Sequence, residues 1–165
     1  VSMGDLFGDW VPENWIEAVF NSCKEAPQHT YLFLTKNPDR YCKLANAGKL
    51  PKEDNFWYGT TITHKGDTFF GGGIGFNTFL SIEPLMEDLQ TGVGSFGGAR
   101  WIIIGAMTQQ PRREWMENIV ETAKLTQAAV FMKDNLADVW GPELLREHPA
   151  GMVWPEEEAD GADES

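Results

Sequence analysis

Cysteine is scarce in this chain, and its two cysteines are not spaced as metal ligands or as a redox pair. Cys23 and Cys42 lie on two different predicted helices, outside any close-spaced ligand pattern. The three histidines, His29, His64 and His148, are far apart and form no paired spacing such as H-x-x-x-H. The sequence therefore predicts two reduced thiols and assigns no metal ligands.

Basic residues and long apolar runs are also few. The 13 lysines and arginines are scattered among 25 acidic residues, which gives a formal net charge of -12, whereas nucleic-acid binding requires clustered cations. No run approaches the ~20 apolar residues of a membrane span, and the first residues lack the regions of a signal peptide. We therefore predict a cytoplasmic protein without membrane contact, and the charge argues against nucleic-acid binding.

Five short apolar runs, about 20 to 30 residues apart, carry the main structural signal. Strands that are apolar on both faces must be covered on both, which indicates a parallel sheet with helical crossovers. With residues 1–3 interpreted as the end of a strand, the sequence predicts an α/β fold, a partial (open) parallel TIM-like β/α barrel of about six strands. The runs are Tyr31-Leu-Phe-Leu-Thr-Lys36, Phe56-Trp-Tyr-Gly-Thr-Thr61, Thr78-Phe-Leu-Ser-Ile-Glu83, Trp101-Ile-Ile-Ile-Gly105 and Ala129-Val-Phe-Met-Lys133.

The segments between the predicted strands contain three predicted helices and one glycine-rich loop. Apolar spacing predicts helices over residues 13–25 and 113–125, and Asn37-Pro38 begins a helix between them. Residues 71–75 contain four glycines, which predicts a loop in place of a crossover helix, and no phosphate-loop pattern ends there. Residues 1–154 form the partial barrel domain, and residues 155–165 are predicted to be a disordered acidic tail.

An open barrel leaves the edges of its first and last strands unpaired. Unpaired edges invite pairing with another chain. We therefore expect a homo-oligomer, a covered edge, or an additional N-terminal segment lying across the exposed edge.

Polar residues follow the strands, where a parallel sheet places its functional groups. Glu83 and Ser81 lie on one face of their strand, and Lys36 and Lys133 end two other strands. Together they could hold a carboxylate- or phosphate-bearing ligand, or they could form structural ion pairs at the rim. Thr35, Thr60 and Thr61 add hydroxyls, and Asp5 could reach the same rim or cap the first helix.

Several of these segments resemble, in order, the motifs of a phage-associated protein family of poorly established function. That family carries an N-terminal three-cysteine motif and resembles divergent radical S-adenosylmethionine barrels. The resemblance covers about residues 1 to 149. The matching segments are Ser2-Met3-Gly-Asp5-Leu-Phe-Gly-Asp-Trp10-Val-Pro12, Leu34-Thr35-Lys36-Asn-Pro38, Leu80-Ser81-Ile-Glu83-Pro84-Leu85, Ile103-Ile-Gly105-Ala and Val130-Phe-Met-Lys133-Asp134.

The resemblance implies S-adenosylmethionine and an iron–sulfur cluster as the cofactors of a complete family member. It implies that Glu83 holds ribose or amino groups of the cofactor with Ser81, and that Lys133 meets a carboxylate of cofactor or substrate. Glu83 and Lys133 are therefore the candidate catalytic residues. The family match further implies close cofactor approach at Gly105, whereas neither cofactor is assigned to this chain itself. The resemblance also places Ser2, Met3, Asp5, Thr35 and Lys36 at the rim, and the strand-end pattern adds Thr60 as a candidate cofactor-binding residue.

Two departures from the family leave the function open. The cluster-binding cysteines of the family lie ahead of position 1, and Cys23 and Cys42 match none of them; Met107 stands where the family usually has an acid. These departures predict a truncated or a degenerate copy. Whether it is an enzyme stays open: the alternatives are a non-catalytic binding module and an anion-binding barrel enzyme without a cluster.

Overall fold

The structure is a computed structural model that describes residues 4–92 and 94–152. The strand predicted at residues 1–3 and the acidic tail lie outside the described residues. The strands are β1 (Tyr31–Thr35), β2 (Phe56–Thr61), β3 (Asn77–Ile82), β4 (Trp101–Ile104) and β5 (Ala129–Met132). The helices are α1 (Glu13–Lys24), α2 (Pro38–Asn46), α3 (Arg113–Thr126) and α4 (Ala137–Trp140), with a short 3-10 helix at Asp134–Leu136.

The five strands form one parallel sheet in the order β1-β2-β3-β4-β5. The sheet is not closed into a barrel, because the described residues pair β1 with β2 and β5 with β4 but not β1 with β5. This confirms the predicted α/β class with an open parallel sheet. The crossover between β2 and β3 contains no helix, as its glycine content predicted.

All three long helices lie on one face of the sheet. Phe33 and Tyr58 are paired in register and pack in one core with α1 and α2. Ile102 and Val130, which continue the same face on β4 and β5, pack in a second core with α3. One-sided helical cover is the layering of a β/α barrel, in which the other face of the sheet is the interior.

Helix α1 shows why these segments become helices. Ile16, Phe20 and Cys23 are buried at helical spacing and face the sheet. Glu13 in the first turn and Lys24 in the last complement the helix dipole. The helix therefore forms because its apolar stripe is buried against β1 and β2.

The opposite face of the sheet carries no helix in the described part of the chain, and we call it the helix-free face. Its buried centre is an aromatic cluster of Trp57, Phe79 and Trp101. Toward β1 the face is open, since Leu32 and Leu34 are 39% and 44% exposed. The face thus has an apolar floor that is only partly covered.

The outer edge of β5 is covered by the chain itself. Arg146 pairs antiparallel with Phe131. The Met132 amide donates to the Leu145 carbonyl at 2.8 Å, and the Glu147 amide donates to the Val130 carbonyl at 2.9 Å. A covered edge is one of the arrangements expected for an open sheet.

Among the described residues, none of the helices has the length and apolar character needed to cross a bilayer. The cytoplasmic location stays a prediction.

Candidate functional site

The strand register arranges the helix-free face in rows. One row crosses the sheet through Thr61, Ser81, Ile103 and Phe131. The ladder continues past the strand ends, because the Gly105 amide donates to the Ile82 carbonyl at 3.0 Å and the Lys133 amide to the Ile104 carbonyl at 2.9 Å. Alternation therefore places the next row at the carboxyl edge of the sheet: Glu83, Gly105 and Lys133.

Glu83 and Lys133 are joined in this edge row. Lys133 Nζ donates a hydrogen bond to Glu83 Oε2 and forms an ion pair with it. The side chains are 24% exposed for Glu83 and 43% for Lys133, so the pair is open to solvent at the mouth of the face. The two residues meet at the rim as the sequence predicts, and the contact between them is a salt bridge, which was the alternative prediction.

Gly105 lies between the two charged residues and makes room for one of them. A Cβ atom at this position would lie 2.7 Å from Glu83 Oε1 and 2.8 Å from Glu83 Cδ. Any larger residue would displace the carboxylate. The absence of a side chain at Gly105 thus positions Glu83, a role that the sequence did not suggest.

Ser81 lies one row below Glu83 on the same face and is buried. Its hydroxyl has no hydrogen-bond partner within the part of the chain that the structure describes. It is therefore a free donor and acceptor directly beneath the ion pair.

Thr35 and Thr60 lie on the helical side of the sheet, which corrects the expectation that their hydroxyls share a rim with Ser81. Thr35 Oγ1 donates to Asp5 Oδ2 at 2.7 Å, and Thr60 Oγ1 accepts from the Phe70 amide at 3.2 Å. Both hydroxyls hold loops in place. Successive side chains of a strand alternate between faces, so Thr61 faces the rim in place of Thr60.

Asp5 fastens the first loop to the end of β1. Its Oδ2 accepts hydrogen bonds from Thr35 Oγ1 and, at 2.9 Å, from the Lys36 amide, while its Oδ1 accepts from the Phe7 amide at 3.0 Å. Ser2 and Met3, predicted for the same rim segment, lie outside the described residues.

We expect Asp5→Ala to lower the free energy of unfolding by about 1 to 2 kcal/mol, because it removes the acceptor of three hydrogen bonds, two of them partly buried. Asp9→Ala is the matched control, since Asp9 accepts one exposed bond from Asn37, and should cost less than about 0.5 kcal/mol. Urea unfolding measures both. Equal losses would contradict the assigned role of Asp5.

Lys36 ends β1 at the same edge, two strands away from Glu83. Its exposed side chain lines a cavity of about 270 Å³ together with Pro38, Thr61, Thr63, Asp67 and Thr68. Lys36 thus lies at the same edge of the sheet as Glu83 and Lys133, but its side chain forms no hydrogen bond or ion pair with either of them. Thr63, Asp67 and Thr68 were missed from sequence because they lie on an irregular loop without periodicity.

Asn135 is a further residue that the sequence did not indicate. Its side-chain amide binds both backbone groups of Ala106: Oδ1 accepts from the Ala106 amide at 3.2 Å, and Nδ2 donates to the Ala106 carbonyl at 2.7 Å. This clamp ties the segment after β4 to the segment after β5. It therefore holds Gly105 and Lys133 at a fixed separation.

The described residues do not fit an iron–sulfur cluster. Cys23 is buried in α1 and Cys42 is exposed on α2, so both belong to the helical layer. Within residues 4–92 and 94–152, no group of three or more histidine, cysteine, aspartate or glutamate side chains could hold a metal ion. We therefore derive no step through a cluster.

A family model described as a protein of unknown function matches residues 1–143 of the chain. No curated protein and no solved structure matches it.

Proposed function

The chain belongs to the DUF5131 family, whose description assigns no activity, and for this member we propose that the helix-free face binds S-adenosylmethionine at the carboxyl ends of β3, β4 and β5. The observation that carries the proposal is the Glu83–Lys133 ion pair above Ser81. The ordered motif resemblance, which covers these same residues, supplies the identity of the ligand.

The chemistry of the edge row suits the amino-acid end of this ligand. An α-amino and α-carboxylate group presents one positive and one negative charge, so it can replace the Glu83–Lys133 contact with two charge-assisted hydrogen bonds and leave no charge unpaired. Glu83 would accept from the ammonium, and Lys133 would donate to the carboxylate. Breaking the existing ion pair costs little, because both side chains are partly exposed to solvent.

The rest of the face suits the nucleoside. Ser81 offers an unused hydroxyl to a ribose oxygen. Beside it in the same row, the partly buried Ile103 and Phe131 supply apolar surface, and small-molecule sites combine such surface with a few polar groups. S-Adenosylmethionine, when bound, supplies an electrophilic sulfonium carbon. The residues described here would bind and orient the ligand, and reductive chemistry would need a cluster that they do not fit.

We expect the full chain to bind S-adenosylmethionine and S-adenosylhomocysteine in isothermal titration calorimetry. Glu83→Gln and Lys133→Met should each weaken binding at least tenfold, since about 1.4 kcal/mol per lost charge-assisted bond corresponds to that factor. The same variants should lose less than about 1 kcal/mol of folding stability, because the pair is partly solvent-exposed.

Glu114→Gln and Lys124→Met are the matched controls, because they make the same charge changes at exposed positions of α3. Both should bind as the wild type does. The proposal fails if the wild-type chain binds neither ligand, or if Glu83→Gln binds as tightly as Glu114→Gln.

A second candidate is a binding module without chemistry. It is favoured by Met107, which is 66% exposed at the position where the resemblance expects an acid. A catalytic acid or base must reach the reacting atoms, and a thioether cannot serve. Ligand binding without turnover of S-adenosylmethionine would support this candidate over an enzyme.

A further inference from the structure

The cavity beside Lys36 has donors that the protein does not use. Lys36 makes no side-chain hydrogen bond or ion pair with any described residue, whereas Lys133 at the same edge is bound to Glu83. The hydroxyls of Thr61 and Thr68 also have no partner among residues 4–92 and 94–152. The cavity wall thus presents one ammonium and two hydroxyl groups to solvent.

The one carboxylate of the cavity is largely committed to its own loop. Asp67 Oδ2 accepts from the Thr63 amide at 2.8 Å, the His64 amide at 2.9 Å and Thr63 Oγ1 at 3.3 Å. The backbone hydrogen bond from Thr63 is the largest cause that lowers the pKa of Asp67. Asp67 therefore stays ionised and fixes the turn after β2, while its charge is partly compensated by these donors.

We infer that the Lys36 cavity is the subsite for an anionic oxygen group, phosphate or carboxylate, of the substrate that binds beside S-adenosylmethionine. The assignment of this anion to a substrate rests on the proposed function, whereas the anion site itself rests on Lys36, Thr61 and Thr68. A charge-assisted bond from an ammonium with two hydroxyl donors beside it is the chemistry that holds such groups. Asp67 Oδ1, which has no described partner, accepts a hydroxyl of the same ligand.

The position of the cavity agrees with a second ligand. Thr61 is paired in register with Ser81, so the cavity opens onto the same row of the helix-free face as the proposed cofactor site. It lies on the β1 side, and Glu83 and Lys133 lie on the β3 to β5 side. Since the chain carries a formal net charge of -12, the anion must be held by local contacts, because long-range attraction is absent.

The test is a titration of the ¹⁵N-labelled full chain with inorganic phosphate and, separately, with acetate. We expect saturable amide shifts at residues 36, 61, 63 and 68, with a dissociation constant in the millimolar range for the preferred anion. Lys36→Met should weaken binding at least tenfold, and Thr61→Val several-fold. Tighter phosphate binding would indicate a phosphorylated substrate, and tighter acetate binding a carboxylate.

Lys43→Met is the matched control, because Lys43 is exposed on α2 and its loss changes the net charge equally. It should bind the anion as the wild type does. Absence of saturable shifts with both anions, or equal weakening by Lys36→Met and Lys43→Met, overturns the inference.

The cofactor titration separates this inference from the proposed function. Lys36→Met should bind S-adenosylmethionine normally and lose the anion, while Glu83→Gln should do the reverse. If the anion binds through Lys36 but no S-adenosylmethionine binds, the proposed function fails and the anion site stands. If S-adenosylmethionine binds and the anion does not, only the subsite is refuted.

Discussion

Gly59→Ala should lower the free energy of unfolding by about 3 kcal/mol, the cost of forcing an extra carbon into a filled core. A Cβ atom on Gly59 would overlap the ring of Phe79, its register partner on β3. The Phe79 side chain is buried with Trp57 and Trp101 in the aromatic cluster, so its ring cannot move aside without displacing its neighbours. For a domain of this size the melting temperature should fall by about 10 °C, which differential scanning calorimetry measures.

A smaller residue at position 79 tests the cause of this loss. In Gly59→Ala/Phe79→Leu the new methyl group and the shortened side chain share the space of the ring, so the double variant should lose less stability than the two single losses add up to. Gly92→Ala is the control, because a Cβ there meets no atom within 4 Å, and should change stability by less than about 0.5 kcal/mol. Strict additivity would refute the clash with Phe79.

Gly105→Ala is expected to weaken S-adenosylmethionine binding at least tenfold while leaving the fold intact. The added carbon would lie 2.7 Å from Glu83 Oε1, so the Glu83 side chain must turn away and lose its bond to Lys133. Glu83 is partly exposed, and it can turn into solvent at a stability cost of less than about 1 kcal/mol. Calorimetric titration and urea unfolding on the same preparation measure the two effects.

Gly92→Ala again serves as the control and should bind as the wild type does. A Gly105→Ala/Glu83→Gln double variant distinguishes a steric effect through Glu83 from a direct contact of the ligand with Gly105. If Gly105 acts through Glu83, the double variant should bind no more weakly than Glu83→Gln alone. A further loss would mean that the ligand itself approaches the backbone at Gly105, as the sequence resemblance implied.

Much of the fold could be predicted because it depends on local patterns. Tyr31–Thr35, Trp101–Ile104 and Ala129–Met132 are short apolar runs between breakers, and each is a strand at or within one residue of the predicted bounds. The glycines of residues 71–75 excluded a helix by backbone entropy alone. The hypothesis that polar groups collect at the carboxyl ends of the strands follows from parallel order, and the edge row of Glu83 and Lys133 agrees with it.

The site could be predicted only in part, because its contacts join distant residues. Glu83 and Lys133 are 50 residues apart, and no periodicity within either segment indicates that they touch. The clamp from Asn135 to Ala106 spans 29 residues and leaves no local signal. Register between strands decides such contacts, and register depends on the packing of the whole sheet.

The sequence by itself determined the parallel α/β class, the strand positions and the edge at which polar side chains lie, since apolar runs, breakers and strand direction are local properties of the chain. Only the tertiary structure decided which side chains share a face and which ones meet. In the structure, Thr35 and Thr60 face the helices, the Glu83 carboxylate occupies the space beside Gly105, and the Lys36 side chain has no hydrogen-bond or ion-pair partner among the described residues. These outcomes depend on strand register and on contacts between segments far apart in the chain, which the order of residues within any one segment does not fix.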